Sequence, residues 1–463
     1  MLIHGAVLAV WGLLFARAFG MGGMNGSGSG GGGLWGWAIG VVYIVYDTLL
    51  LGFVAYQTWV LLTPPRSAGT IGHKVSVGVI VAAHNEAVGL PATLAALLGQ
   101  TDPPDCIVIA DDGSTDGTAE LLTQRYGLVL PEIGMLGAAS ASHPSVRWLR
   151  LGHGGKARAL NAAIVATPCD VVVTVDGDTL LDACAIAAVR RAFAAEPALV
   201  SATGVLTPAC SGSPSGRVLQ WFQTYEYIRN FLSRYAWMQL DSLLLISGAF
   251  GGFRREAVMA VGGFDPDCLV EDYELIHRLR HHAVEHALDW RFRVLGDAQA
   301  RTEAPSTVGA FLSQRRRWFG GFLQTQFWYR AMVGDRRHGW LGIAMLPVKA
   351  IDTLQPLYGL AAFALLIVFA ATRRLDIVGP VAAVIFAKIA LDLAFHLWSV
   401  RLYRRWVGAE SNAAGGAAIG PALLAVLLEP FTFQLLRHTG AALGWVSFLS
   451  GRRNWGRQKR VVL

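Results

Sequence analysis

The stretch Val171-Val172-Val173-Thr174-Val175-Asp176-Gly177-Asp178-Thr179 decides the fold class. Five β-favouring residues in a row read as a strand buried on both faces, the pattern of parallel sheets. The run stops at Asp176-Gly177-Asp178, where the glycine permits a tight turn. Ligands of open α/β sheets bind outside the carboxyl ends of the strands, and this carboxylate pair falls there. Two carboxylates about a glycine suit a hard divalent cation and leave coordination positions for phosphate oxygens. By itself an Asp-x-Asp is more often a solvated turn, so the surrounding chain has to decide.

Upstream, the pattern repeats. Val75 to Ala83 reads as another buried strand, followed by His84-Asn85-Glu86 and by a helical spacing of Leu90, Leu94, Leu97 and Leu98. Cys106 to Ala110 is the next strand. It ends in Asp111-Asp112-Gly113-Ser114, and a helix with Glu120 in its first turn follows. This strand–turn–helix alternation predicts an α/β, doubly wound nucleotide-binding domain whose two acidic turns face one crevice. Between them lies Gly152-His153-Gly154-Gly155-Lys156-Ala157-Arg158, whose glycines allow close approach and whose cations can neutralise phosphate. Its spacing is not that of a P-loop.

Downstream, Leu269-Val270-Glu271-Asp272-Tyr273-Glu274-Leu275 opens a helix with carboxylates. They read either as partners of the helix dipole or, for Asp272, as a general base for an attacking hydroxyl. Ser247 to Arg255 reads as a small-residue loop where an acceptor lies flat, with Gly248 and Phe250 at its surface. Val218 to Met238 carries aromatic residues suited to a membrane interface. Gln314-Arg315-Arg316-Arg317-Trp318 lies on an amphipathic helix that reads by itself as a membrane-surface anchor.

The composition places this polar region between membrane segments. Of 463 residues, 53% are hydrophobic and 15% charged, and the mean hydropathy is +0.43, values of a membrane protein. The net charge of +7 favours anionic headgroups or substrates. There is no basic stripe with a reading module, so nucleic acid is not an expected partner. The five cysteines lack CxxC spacing and fit reduced thiols in a cytosolic domain. Leu2 to Phe19 and Leu34 to Leu62 are expected spans, joined by the uncharged Gly22–Gly33 stretch on the outer face. Asp47 is costly in lipid and is expected to face another helix. Trp340 to Ala371 and Ile377 to Val400 are further spans, the first partly interfacial because of Lys349 and Asp352. Ala418 to Leu449, broken at Glu429-Pro430 and at Arg437-His438, reads as one tilted span or as a hairpin or re-entrant segment, and the second is favoured because it keeps Arg401, Arg404, Arg405 and the basic tail from Arg452 inside. The expected division is 1–66, 67–337 and 338–463.

Together these motifs resemble the membrane-embedded, inverting family 2 glycosyltransferases of GT-A fold, the group of cellulose, chitin, hyaluronan and poly-N-acetylglucosamine synthases. The resemblance covers residues 75–320 through Asp111-Asp112-Gly-Ser, Gly155-Lys156-Ala-Arg-Ala-Leu-Asn161, Asp176-Gly-Asp178, Glu271-Asp272 and Gln314-x-x-Arg317-Trp318. It implies that Asp111 and Asp112 contact the nucleotide base and ribose, and that Lys156 lies near the uracil or diphosphate. Asp176 and Asp178 would hold ribose, diphosphate and a Mg²⁺ or Mn²⁺ ion, with Asp272 as the base. Gln314, Arg317 and Trp318 would contact the donor diphosphate and shape the acceptor site, to which Glu271 also belongs. Val270 stands where cellulose synthases carry Thr, which bears on the substrate more than on the chemistry. The implied setting is the bacterial-type inner (plasma) membrane, with membrane lipids as partners and the catalytic domain cytoplasmic. The implied donor is a UDP-sugar, with accessory export subunits left open. The acceptor is a growing polysaccharide or, in single transfer, a lipid. A transporter carrying a nucleotide-binding regulatory domain is the alternative from another class.

Overall fold

The computed structural model describes residues 2–20, 34–63, 75–408 and 419–451. The Gly22–Gly33 stretch, Pro64-Pro65-Arg66 and the basic tail from Arg452 lie outside the described residues. The chain divides into two compact units, one of apolar helices and one built on a sheet, and α10 (Val308–Trp328) groups with the apolar helices.

Among the described residues the sheet unit has eight strands in the order β3-β2-β1-β4-β7-β6-β8-β5, the edge strand β5 being Thr179–Leu181. β1 (Val77–Ala83), β2 (Cys106–Asp112), β3 (Val146–Leu151) and β4 (Val171–Asp176) form a parallel block. Val77, Val79, Ile80 and Val81 of β1 and Val171, Val172 and Val173 of β4 have no exposed surface, as expected of strands covered on both faces. Helix α5 (Lys156–Ala166) packs on β1 and β2, and α6 (Ala185–Ala195) on β6 (Leu199–Ala209) and β8 (Arg291–Glu303). Register aligns the strand ends: Ala83 pairs with Asp111, and Ala82 with Asp176. Asp111 and Asp176 therefore flank β1 at one edge, about 10 Å apart for strands spaced ~4.8 Å.

Beyond β4 the sheet changes sense. β7 (Phe250–Arg254) is antiparallel to both β4 and β6. The expected acceptor loop is thus confined to residues before 250. Phe250 is a core residue with no exposed surface, its ring against Gly204, and does not line an acceptor surface. Helix α7 (Pro214–Gln239), read from its aromatics as interfacial, turns Phe222, Tyr225, Ile228 and Phe231 inward and packs on β6 and β8.

Among the described residues, three helical stretches are long and apolar enough to cross a membrane: Ala38–Leu62, Leu341–Ala371 and Leu375–Val407. Shorter apolar helices cover Gly5–Leu14 and Gly420–Phe431. Asp47 does face another helix, 2.7 Å from Lys388, which also pairs with Asp392. Lys349 and Asp352 pair at 2.8 Å, and Tyr46 donates to Asp352 at 2.6 Å. Asp47, Lys388, Asp392, Lys349 and Asp352 thereby have counter-charges, the condition under which such groups are tolerated. The chain breaks at Glu429-Pro430 between α13 (Ile419–Leu428) and α14 (Phe433–Leu449). Helix α14 lies against α10 through Gly440 and Gly444. A β-carbon on Gly440 would come within 2.5 Å of Arg315 Cβ, and one on Gly444 within 2.6 Å of Phe319 Cβ. This is the small-xxx-small spacing by which helices approach closely.

Candidate active site

Four parallel strands end at one edge of the sheet, and their following turns build the site. After β1, Asn85 takes a left-handed conformation (φ 58°). Its Oδ1 accepts from the Thr115 and Asp116 amides, at 2.8 and 3.2 Å, which braces the β1 turn against the β2 turn. Asp111 is buried, its oxygens accepting from the Ser114 amide and the Trp148 indole. Asp112 is also buried and holds the glycine-rich loop: Oδ1 accepts from the Gly154 amide at 2.7 Å, Oδ2 from the Gly155 amide at 2.9 Å. The two aspartates expected at the nucleotide base are therefore also what positions the loops of that edge.

Gly155, with φ of +94°, turns the chain into α5, so that Lys156 heads that helix. Its ammonium lies 2.5 Å from Asp176 Oδ1 and 3.6 Å from Glu271 Oε1. Burial works against its charge, yet Asp176, Glu271 and Asp272 hold it above the ordinary lysine value. Asn161, one turn on, clamps the Gly262-Gly263-Phe264 turn by donating to Phe264 O and accepting from Phe264 N.

Asp272 stands in the first turn of α9 (Glu271–Glu285). Its Oδ2 accepts from the Gly248 amide at 2.8 Å and its Oδ1 from its neighbour's Tyr273 amide at 2.8 Å. These bonds leave each oxygen a further lone pair. Gly248 leaves little room above them. A β-carbon there would lie 3.2 Å from Asp272 Oδ2 and 3.4 Å from Lys156 Nζ. Gly248→Ala is expected to shift the carboxylate by a few tenths of an ångström and to lower kcat about 10-fold. Nucleotide affinity should be unchanged; steady-state kinetics with a nucleotide-binding measurement checks this.

A third carboxylate lies beside the Asp176-Gly177-Asp178 turn. Glu86, buried at 3% exposure, packs on Gly177, where a β-carbon would come within 2.8 Å of its Cγ. Carboxylate oxygens are the donors that Mg²⁺ and Mn²⁺ prefer. Among the described residues, the three side chains that bring ligand atoms within 4.8 Å of one another are His84, Asp112 and His153. Two imidazoles suit a softer ion. The rings stack at 4.5 Å, and their Nδ1 atoms face the carbonyl and carboxylate of Asp112.

Residues 171–374 match the family described as Glycosyl transferase family group 2, and residues 78–262 match Glycosyl transferase family 2. Residues 78–374 are a family 2 glycosyltransferase domain. This glycosyltransferase is 28% identical over 262 residues to the poly-beta-1,6-N-acetyl-D-glucosamine synthase of Staphylococcus epidermidis, a match of 54% of this chain and 56% of that one. It is 28% identical over 247 residues to the synthase of the same name from Staphylococcus aureus, covering 52% and 53%. The match thus spans about half the length of these relatives. Among solved structures, a mannosyltransferase from Pyrobaculum calidifontis in complex with GDP-Man and Mn2+ superposes with a TM-score of 0.54 at 20% identity. That likeness covers 85% of this chain and 99% of that one, and it shows the GT-A-like fold.

Within the glycosyltransferase, Asp111, Asp112, Lys156, Asp176, Asp178, Glu271 and Asp272 all belong to the sheet unit. Gln314, Arg317 and Trp318 lie on α10 of the helical unit. Gln314 is 9% exposed and its Oε1 has no hydrogen-bond partner among the described residues. His84, Asn85, Glu86 and His153 stand in the quoted stretches of sequence without an expected role. The first three follow β1 as Asp111 and Asp112 end β2, so the strand-end rule would have found them.

Proposed function

We propose that this enzyme moves a hexose or N-acetylhexosamine from a UDP-sugar onto a growing β-linked polysaccharide at the membrane, in one displacement with inversion. Asp272 carries the reading. Two backbone amides fix its carboxylate at the head of α9, beside a lysine that bridges Asp176 and Glu271. The remaining lone pairs of the Asp272 carboxylate accept the proton of the acceptor hydroxyl, whose oxygen attacks the anomeric carbon opposite the leaving group. Lys156 lends positive charge where the diphosphate departs. Asp178 and Asp176, with Glu86 adjacent, would hold a Mg²⁺ or Mn²⁺ ion, which supplies further charge stabilisation to the leaving group. Asp112 and the His84–His153 pair lie at the strand ends where the nucleoside is expected. Gln314, Arg317 and Trp318 are proposed to meet donor and acceptor from α10.

The named activity of the staphylococcal relatives supports a polymer of N-acetylglucosamine as product. The orientation proposed is cytoplasmic for the sheet unit, at a bacterial plasma membrane. The test is product sizing from purified enzyme with a panel of labelled UDP- and GDP-sugars. A ladder of β-linked oligosaccharides from one UDP-sugar is expected. A single-sugar lipid product would sink the polymer reading, and release of no nucleoside diphosphate with any donor would sink the transfer.

A further inference from the structure

Cys106 opens β2 and Cys169 stands two residues before β4, so the two flank β1 at the start of the parallel block. Their sulfurs lie 3.4 Å apart, within hydrogen-bond range. β1 makes room for them. Gly78 pairs in register with Cys106, and a β-carbon on Gly78 would lie 3.0 Å from Cys106 Sγ and 3.1 Å from Cys169 Sγ. The backbone beside each cysteine is tied to the same strand. Asp105 accepts from the Val77 amide at 2.7 Å, and Asp170 from the Ser76 amide at 2.9 Å. The sheet itself therefore holds the two thiols together over its glycine.

The pair is asymmetric. Cys169 is 7% exposed, whereas Cys106 is half-buried and open to solvent. The hydrogen bond between them holds the Cys106 thiol below its ordinary value, where Arg147 pulls the same way, and pushes that of Cys169 up. Cys106 is thus the sulfur that ionises first and the one an oxidant reaches, with a second thiol directly behind it. Cys184 is exposed, but its sulfur meets the Thr101 hydroxyl instead of a thiol.

We propose that Cys106 and Cys169 form an oxidative modification site, at which a hydroperoxide converts the two thiols into a disulfide across β1. The Cys106 thiolate attacks the peroxide: an S–O bond forms, the O–O bond breaks, and the leaving oxygen takes a proton. The Cys106 sulfur gives up two electrons and becomes a sulfenic acid, while the peroxide is reduced. The Cys169 sulfur then attacks that of Cys106. The S–S bond forms, the S–O bond breaks, and the departing hydroxide leaves as water with the Cys169 proton. The sulfurs close by about 1.4 Å to reach disulfide length. In a reducing compartment such a bond forms under oxidant and is reversed by thiols. It joins residues 63 positions apart in the chain, and Asp111 lies five strand residues, about 17 Å, beyond Cys106. The disulfide therefore stabilises the sheet and leaves the turns of the site as they are. The inference does not depend on the transfer reaction.

The test exposes full-length, detergent-solubilised wild type, Cys106→Ser and Cys169→Ser to hydrogen peroxide. Every cysteine is mapped by peptide mass spectrometry, with dimedone to trap sulfenic acid. In wild type a Cys106–Cys169 linked peptide is expected, reversed by dithiothreitol and formed about 10-fold faster than Cys184 is oxidised. Cys169→Ser should accumulate dimedone-labelled Cys106, and in Cys106→Ser the remaining Cys169 should stay reduced. Oxidised wild type should unfold about 5 °C above the reduced protein, a shift absent from both variants. Its UDP affinity should stay within about 2-fold of the reduced form. No linked peptide at a peroxide dose that oxidises Cys184 overturns the inference. So does a dimedone adduct on Cys106 of wild type in place of the disulfide, or a disulfide from Cys106 to any other cysteine. A linked protein that melts no later than the reduced one, or binds UDP more weakly, overturns its role as a stabilising bond apart from the site. If neither serine variant folds, the wild-type map and melting curves decide alone.

Discussion

Asp272→Asn is expected to lower glycosyl transfer by about 10²–10⁴-fold, the range contributed by a positioned general base. The substitution is nearly isosteric, and the carboxamide oxygen can still accept from the Gly248 amide, which holds Asp272 Oδ2 at 2.8 Å. The loss should therefore fall on kcat, with nucleotide binding and thermal unfolding close to wild type. A variant that retains a tenth or more of the wild-type turnover would remove Asp272 from the role of base. A variant that fails to bind nucleotide would instead make Asp272 a structural pillar of the Gly248 turn.

The second large effect concerns the turn between β4 and β5 (Thr179–Leu181). Stripping divalent ions with a chelator is expected to abolish transfer, and adding Mn²⁺ or Mg²⁺ to restore it. Asp178→Ala should cost about 10²-fold or more and should not recover with added ion. Lys156 already sits 2.5 Å from Asp176, so one ammonium is in place, whereas a diphosphate brings more negative charge than one lysine offsets. Full activity in chelator would make Lys156 the principal counter-charge. The comparison needs only a nucleoside diphosphate release assay across an ion series.

Much of this was legible in the residues, for physical reasons that differ from place to place. β1 and β4 are runs of valine and isoleucine because both faces are covered, and a run of that kind can hardly be anything but a buried strand. Their polar ends then locate the crevice, which is how Asp111, Asp112, Asp176 and Asp178 stand out. β7 was hidden. Phe250-Gly251-Gly252-Phe253 has the composition of a turn, and it is held as a strand by the partners on either side, Val173 and Thr203 among them. Glycine in a strand often marks a close approach, and here Phe193 lies against Gly252. The aromatic run of α7 read as interfacial for a similar reason: bulky rings suit a lipid headgroup region and a sheet face equally. Asp272 and Glu271 were ambiguous at the head of a helix until the Gly248 amide and Lys156 were seen beside them.

The glycine contacts between α14 and α10 carry a mechanical consequence. Gly440 faces Arg315 and Gly444 faces Phe319, so both helices advance by four residues from one contact to the next and run in the same direction. A slip of one or two residues would drive side chains into the helix bearing Gln314, Arg317 and Trp318. A slip of one full turn, about 5.4 Å, would set one glycine against the other's former neighbour and re-form half of the seam. The interface thus behaves as a detent: it resists small axial displacement of the Gln-x-x-Arg-Trp helix and tolerates travel in whole turns.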